Sequence, residues 1–222
     1  ARLDPDGALL SRSPRLRLDA EVIRDAALQA AGLLTTKIGG PSVYPPQPAS
    51  VTEAAYGKFA WKASTGSDRY RRSLYTFSKR TAPFAMFANF DAPSGELCVP
   101  RRDVSNTPLQ ALNLLNDAMI MEAAEALGKL IAAHSGDDST KLEHLFRRIL
   151  TRAPLPDEAR DLLEFFRSER EQAASAAAAA RSAESAKLKQ SDGEAMMPDP
   201  EVRAWTLTAR VLLNLDEAVT RN

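Results

Sequence analysis

Apolar residues recur at three- and four-residue spacing through Val22, Ile23, Ala26, Ala27, Ala30, Leu33 and Leu34, which predicts a helix with one buried stripe. Its start is marked by Arg15-Leu16-Arg17-Leu18-Asp19, with Asp19 as the cap and Leu18 and Ile23 spaced as a hydrophobic staple. The helical pattern returns at Asn106-Thr107-Pro108-Leu109-Gln110. Here Thr107 is the predicted N-cap, Pro108 the first helical position and Gln110 the far side of a capping box. Leu109, Leu112, Leu115, Met119, Ile120, Ala123, Leu127, Leu130 and Ile131 continue that pattern, and Asn116-Asp117 is where one helix would break and a second be recapped. Leu142, Leu145, Phe146, Ile149 and Leu150 mark a further helix, closed by Ala153-Pro154. Asp157-Glu158 open another that carries Leu162, Leu163 and Phe166. The short connection makes these two antiparallel neighbours. A last helix starts at Asp199-Pro200-Glu201 and turns Val202, Trp205, Ala209, Leu212 and Leu213 inward, with Trp205 as a core anchor.

Two stretches depart from this pattern. From Ile38 to about Ser105, Gly39-Gly40-Pro41 and Tyr44-Pro45-Pro46-Gln47-Pro48 forbid regular helix. The segment nonetheless holds Trp61 and several tyrosines and phenylalanines, so it should pack onto the helices and not act as a solvated linker. Within it, Tyr70 to Phe77 fits a short strand and a helical turn equally. Residues 168–197 are rich in alanine, serine and charge. They have helix propensity but little to bury, and read as an insertion, helical or partly disordered. The expected architecture is therefore mainly α: one domain over residues 1–222, with about five or six helices and the long Pro/Gly/aromatic segment wrapped on them.

Charge and composition narrow the function. Lys plus Arg and Asp plus Glu number 29 each over 222 residues, so no global field draws the chain to nucleic acid or an anionic membrane. The apolar runs are too short for a membrane span. The single cysteine, Cys98, excludes a disulfide framework, and with no histidine near it the thiol reads as a small buried hydrophobe. The opening Ala1-Arg2-Leu3-Asp4-Pro5 carries no signal or transit pattern, which reads as an internal start within a longer protein.

The densest polar cluster, Asp91, Glu96, Arg101, Arg102, Asp103, Asn106, Thr107 and Gln110, lies on the loop that feeds the helix at Pro108. Free amides at a helix N-terminus beside two arginines make an anion or carboxylate site, for phosphate, sulfate or an acidic sugar. The competing reading is a well-capped joint, with Asp91 capping a turn, Thr107 its helix, and an arginine paired internally. Asp91 and Glu96 could instead act as the acid and base of a glycoside-cleaving pair, although nothing in the sequence fixes their separation. Arg69, Arg71, Arg72, Lys79 and Arg80 among aromatics suggest nucleic acid only superficially; a solvated or carboxylate-paired face fits better. His134 and His144 flank a turn at Ser135-Gly136-Asp137 and lack a third ligand at recognisable spacing, so they read as surface histidines, not a metal site.

Several blocks together carry a resemblance. They are Ser13-Pro14-Arg15-Leu16-Arg17-Leu18-Asp19-Ala20-Glu21, Gly39-Gly40-Pro41-Ser42-Val43, Arg71-Arg72-Ser73-Leu74-Tyr75-Thr76, Phe90-Asp91-Ala92-Pro93-Ser94 and the twelve residues from Asn106 to Asp117. In this order they resemble the planctomycete family catalogued as domain of unknown function 1553, and Ala204-Trp205 and Leu212 to Glu217 fit it too. The chain departs from the family pattern at Ala118, where proline is frequent, and at Ser78, where tryptophan is common. The resemblance implies the C-terminal part of a long exported, extracytoplasmic protein that commonly carries a cytochrome c domain upstream. Haem would belong to that upstream region, because no Cys-x-x-Cys-His occurs here and no cofactor is expected in this chain. It brings no established activity and no catalytic residues. The leading expectation is a non-catalytic binding or assembly module for a polysaccharide, acidic or sulfated, or for the upstream domains of the same polypeptide. The competing one is a carbohydrate-active hydrolase or lyase with its site at the Asp91 to Gln110 loop.

Overall fold

A computed structural model describes residues 15–48, 61–186 and 199–221. Among these the fold is mainly α, with seven α-helices and one two-stranded sheet. In chain order they are β1 (Leu16–Arg17), α1 (Ala20–Ala30), α2 (Ala85–Asn89), α3 (Pro108–Asn116), α4 (Ala118–Ala132), α5 (Asp138–Leu150), α6 (Pro156–Ala186), α7 (Pro200–Leu213) and β2 (Thr220–Arg221). The chain groups into two compact units: Ala1–Ala26, Leu34–Ala118 and Asn214–Asn222 form the first, and Ala27–Leu33 with Met119–Leu213 the second.

In the first unit β1 and β2 pair antiparallel, Leu16 opposite Arg221 and Arg17 opposite Thr220. The irregular segment is held by two buried arginines. Arg24, fully buried on α1, donates to the carbonyls of Arg71 (2.8 Å) and Arg69 (3.2 Å) and to Ser73 Oγ (3.3 Å). Arg71, 1% exposed, donates to the carbonyls of Pro41 (2.9 Å), Lys37 and Gly39, and its guanidinium lies 3.7 Å from the centre of the Tyr75 ring. Burying a guanidinium is tolerable only when acceptors replace its water, and these oxygens do so for the Nη groups, while the Nε of each arginine has no partner. Arg71 is thus neither solvated nor paired with a carboxylate, as the sequence had suggested for its stretch. The ambiguous 70–77 region resolves into both of its options. Gly66–Tyr70 and Ser73–Tyr75 are single 3₁₀ turns, and between and after them Arg71 bridges Thr35 and Thr76 bridges Val43 in parallel. The aromatic residues pack together: Trp61 stacks on Phe84 at 6.0 Å and meets Tyr44 edge-on at 5.2 Å, while its Nε1 donates to Pro45 O.

The helix start at Pro108 is built as predicted: Thr107 Oγ1 accepts from Gln110 N while Gln110 Oε1 accepts from Thr107 N. The break also falls where expected, with Asp117 in extended conformation between α3 and α4. The stripe on α1 ends earlier than its pattern suggests. Gly32 adopts φ +72°, Gly32 N bonds Gln29 O and Leu33 N bonds Leu28 O, a Schellman closure that removes Leu33 and Leu34 from the helix.

The second unit is a helical core of Leu127, Ile131, Leu145, Phe146, Phe166, Trp205 and Leu212, all fully buried. Trp205 stacks on Phe166 with ring centres 3.9 Å apart. Helices α4 and α7 touch at Gly128, where an added Cβ would stand 2.2 Å from Thr206 Oγ1 and 2.8 Å from Val202 O. Helix α6 runs into the alanine-rich stretch as far as Ala186, and the expected insertion beyond that point lies outside the described residues until Asp199. His134 and His144 do flank the predicted turn, but they are half-buried and stacked at 4.2 Å, not free surface side chains. Cys98 is exposed, contrary to its expected burial.

Two outcomes test this packing. Gly128→Ala forces α4 and α7 apart and should cost about 1–3 kcal/mol in urea unfolding, as overpacked cores do. The acid profile of unfolding should show two windows. Burial, His134 and Arg148 hold His144 below its ordinary 6.5, so the unfolded chain binds that proton more tightly and stability falls as pH drops through 6.5. The Arg152 hydrogen bond holds Glu158 down at about 2, so its contribution, present above pH 4.5, is lost between 4.5 and 2. His144→Phe should flatten the first window and Glu158→Gln the second in melting temperatures recorded against pH.

Candidate functional site

The polar cluster read from the sequence does not converge on one point. Asp91 sits at φ 60°, a left-handed conformation that aspartate tolerates better than most residues, and its carboxylate accepts from Ser105 N (2.7 Å) and Ser105 Oγ (2.7 and 2.9 Å). Gln110, 1% exposed, donates through Nε2 to Asn89 O and Ser105 Oγ, and its Oε1 also accepts from Arg17 Nη2 at 2.8 Å. Arg17 in turn reaches Asp216 at 3.3 Å. Asp91, Ser105, Gln110, Arg17 and Asp216 therefore form one hydrogen-bonded joint that ties the loop, α3 and the β1–β2 sheet together. Thr107 belongs to the capping box. Glu96, Arg101, Asp103 and Asn106 are exposed, and Asn106 lines a shallow depression with Arg15 and Arg17.

Arg102 is the member of the set that reaches a cleft. Its Nη1 and Nη2 grip both oxygens of Glu21 at 2.7 and 3.1 Å, and Nη1 stands 3.6 Å from Asp19. Glu21 lies in the first turn of α1, where the helix dipole also favours a negative charge. Burial alone would raise the Glu21 carboxyl, but the Arg102 hydrogen bond, a backbone amide and the Arg102 charge outweigh it and hold it below its ordinary value. Glu21 is thus ionised at neutral pH and cannot serve as a proton donor there.

The cleft beside this pair encloses about 470 Å³ within the first unit. Phe77, Phe84, Phe87 and Pro93 supply an apolar wall, and Asp19, Glu21, Asp25, Arg72 and Arg102 the charged rim. Asp25 is already committed: Oδ1 accepts from Ser73 N at 2.8 Å and Ser73 Oγ at 2.7 Å, with Arg24 at 3.5 Å. Arg72, an exposed residue, also lines the cleft. Ser78 also lines this space. Sequence reasoning singled out Arg102 but missed Asp19, Glu21 and Asp25, because their partners lie 48 to 83 positions away in irregular chain. Arg72 and Phe77 had been noticed, yet only as part of a mixed basic and aromatic run.

With this geometry in place, the first 166 residues match a family model described as Protein of unknown function (DUF1553). The chain belongs to this family. The match spans the cleft and ends within α6, so α7 of this DUF1553 chain lies beyond it. No curated protein and no solved structure matches the chain. Among the described residues, no helix is long and apolar enough to cross a membrane, and no three histidine, cysteine or acidic side chains group as for a metal.

The joint makes a direct prediction. Asp91→Ala strips the acceptors from Ser105 N and Oγ and should destabilise the chain by about 1–3 kcal/mol in denaturant unfolding. Asp91→Asn keeps the left-handed tolerance and one acceptor, and should lose clearly less. Equal losses would mean that the charge, not the geometry, holds the loop.

Proposed function

We propose that this DUF1553 chain is a non-catalytic binding module of an extracytoplasmic protein, and that the cleft beside Arg102 takes a polysaccharide. The observation that carries this reading is the juxtaposition of phenyl faces with an open arginine. Phe77 and Phe87 offer apolar surface to the C–H face of a sugar ring, and Arg72 lines the same cleft. The neighbouring charges are mutually compensated, Glu21 by Arg102 and Asp25 by Arg24 and Ser73. Asp19 shares Arg102 with Glu21, and Arg72 makes no ion pair among the described residues; a guanidinium fork suits the sulfate or carboxylate of an acidic sugar unit.

The catalytic alternative finds less support in the same residues. Asp91 is spent on Ser105, and Glu21 is held ionised by Arg102, so Glu21 does not supply the neutral acid that glycoside cleavage uses.

Affinity electrophoresis of the chain through gels containing chondroitin sulfate, alginate or neutral glucan should show retardation by the acidic polymers, reduced about tenfold or more in affinity by Arg72→Ala and by Phe87→Ala. Release of new reducing ends that stops in a folded Asp91→Asn variant would overturn the non-catalytic reading. Retardation unchanged by Arg72→Ala would remove the cleft from it.

A further inference from the structure

The cleft beside Arg102 is also lined by two aliphatic residues that stand in water, Leu74, 72% exposed, and Val22, 46% exposed. They come from different elements, Leu74 from the 3₁₀ turn Ser73–Tyr75 and Val22 from the first turn of α1. A contact between their neighbours brings them to one place. Asp25, one turn along α1 from Val22, accepts from Ser73 N at 2.8 Å and Ser73 Oγ at 2.7 Å, and Leu74 follows Ser73 in the chain. Arg72 precedes the same buried serine. An aliphatic pair and an exposed arginine thus line one cavity, on segments joined by one pair of hydrogen bonds.

The two kinds of apolar residue ask different things of a sugar. A phenyl ring suits the flat C–H face that most sugars possess, so Phe77 and Phe87 discriminate little among them. A branched aliphatic side chain has no flat face to offer and gains only by the apolar area it removes from water. A sugar hydroxyl pressed against it loses its water without a new partner, whereas a methyl group loses nothing.

We infer that the acidic sugar unit taken by this cleft bears a methyl group, received by Leu74 and Val22; this rests on the cleft taking a polysaccharide. The methyl group is either the C6 methyl of a 6-deoxyhexose or the methyl of an O-acetyl ester. Arg72 holds the unit by its sulfate or carboxylate, and the aliphatic pair selects it by its substituent. A methyl group covered in this way is worth about fourfold in affinity. An acidic chain without the substituent still binds, through Arg72 and the phenyl faces, at the lower affinity.

The test compares polymers matched in charge that differ in the methyl group. Acetylated alginate is paired with the same alginate after mild alkaline deacetylation, and a sulfated 6-deoxyhexose polymer with a sulfated hexose polymer of equal sulfate content. Affinity electrophoresis of the 222-residue chain should show about fourfold or tighter binding to the methyl-bearing member of at least one pair. The pair that discriminates identifies the source of the methyl group. Leu74→Ser and Val22→Ser, each with its thermal melt checked, should bring that ratio toward one. Equal or stronger binding to the members without the methyl group, or a ratio that survives in both variants, would overturn the inference. Equal retardation by both members that Arg72→Ala abolishes would leave the polysaccharide reading standing without it. No retardation by any acidic polymer would remove both.

Discussion

The burial of Arg24 in the first unit is the constraint from which its other features follow. A guanidinium without water must find acceptors for its N–H groups, and on α1 none are available, since helical carbonyls are already used. Arg24 therefore takes the carbonyls of Arg69 and Arg71 and the Ser73 hydroxyl, which draws a segment of no regular structure onto the helix. Burial depresses its basicity, while Asp25 and Asp117 act in the opposite direction and keep the cation in place. Arg71 repeats the device one layer further out, using the carbonyls of Lys37, Gly39 and Pro41. Hydrogen bonds to a charged group are each worth roughly 1.5–3 kcal/mol, and removing either arginine would also leave buried carbonyls unpaired. Lysine could not substitute, because a point ammonium cannot reach three diverging acceptors from one plane.

This explains how a stretch rich in glycine and proline becomes a wall. Positive φ at Gly39 and Gly40 turns the carbonyls of the 37–41 loop toward Arg71, and an added Cβ at Gly40 would come within 3.6 Å of Arg71 Nη1. The backbone is thus ordered by side chains, whereas in the second unit it is ordered by helical periodicity and by the Trp205–Phe166 stack.

How much was legible in the sequence follows the same division. Features encoded within a few residues were readable: the Thr107–Gln110 box, the break at Asp117, the cap at Asp199 and the anchoring role of Trp205. Each rests on local hydrogen bonding or on a 3.6-residue period. What could not be read depends on partners remote in sequence. Arg24 stands between Ile23 and Asp25 and looks like the polar side of an amphipathic helix until the carbonyls 45 and 47 residues later and the Ser73 hydroxyl are placed over it. The candidate site divides likewise. Arg102 was picked out for its place near a helix start, but Glu21, its partner 81 residues earlier, bears no mark that distinguishes it from any first-turn acid. Asp91 was correctly seen as a polar landmark with two readings, and the Ser105 contacts give it the work of a joint.

The cleft and the buried arginines are consequences of one short run. Arg71 and Arg72 have ψ of 156° and 143°, and Arg71 is buried while Arg72 is exposed. Ser73 then returns to the inner side, where it meets Asp25 and Arg24. Arg71 and Ser73 face inward and hold the segment on α1, and Arg72 between them is exposed. The exposed guanidinium in the cleft is therefore positioned by the same alternation that stabilises the fold. The backbone that carries Arg72 is held by the packing beneath it, so the root of this side chain is set by folding.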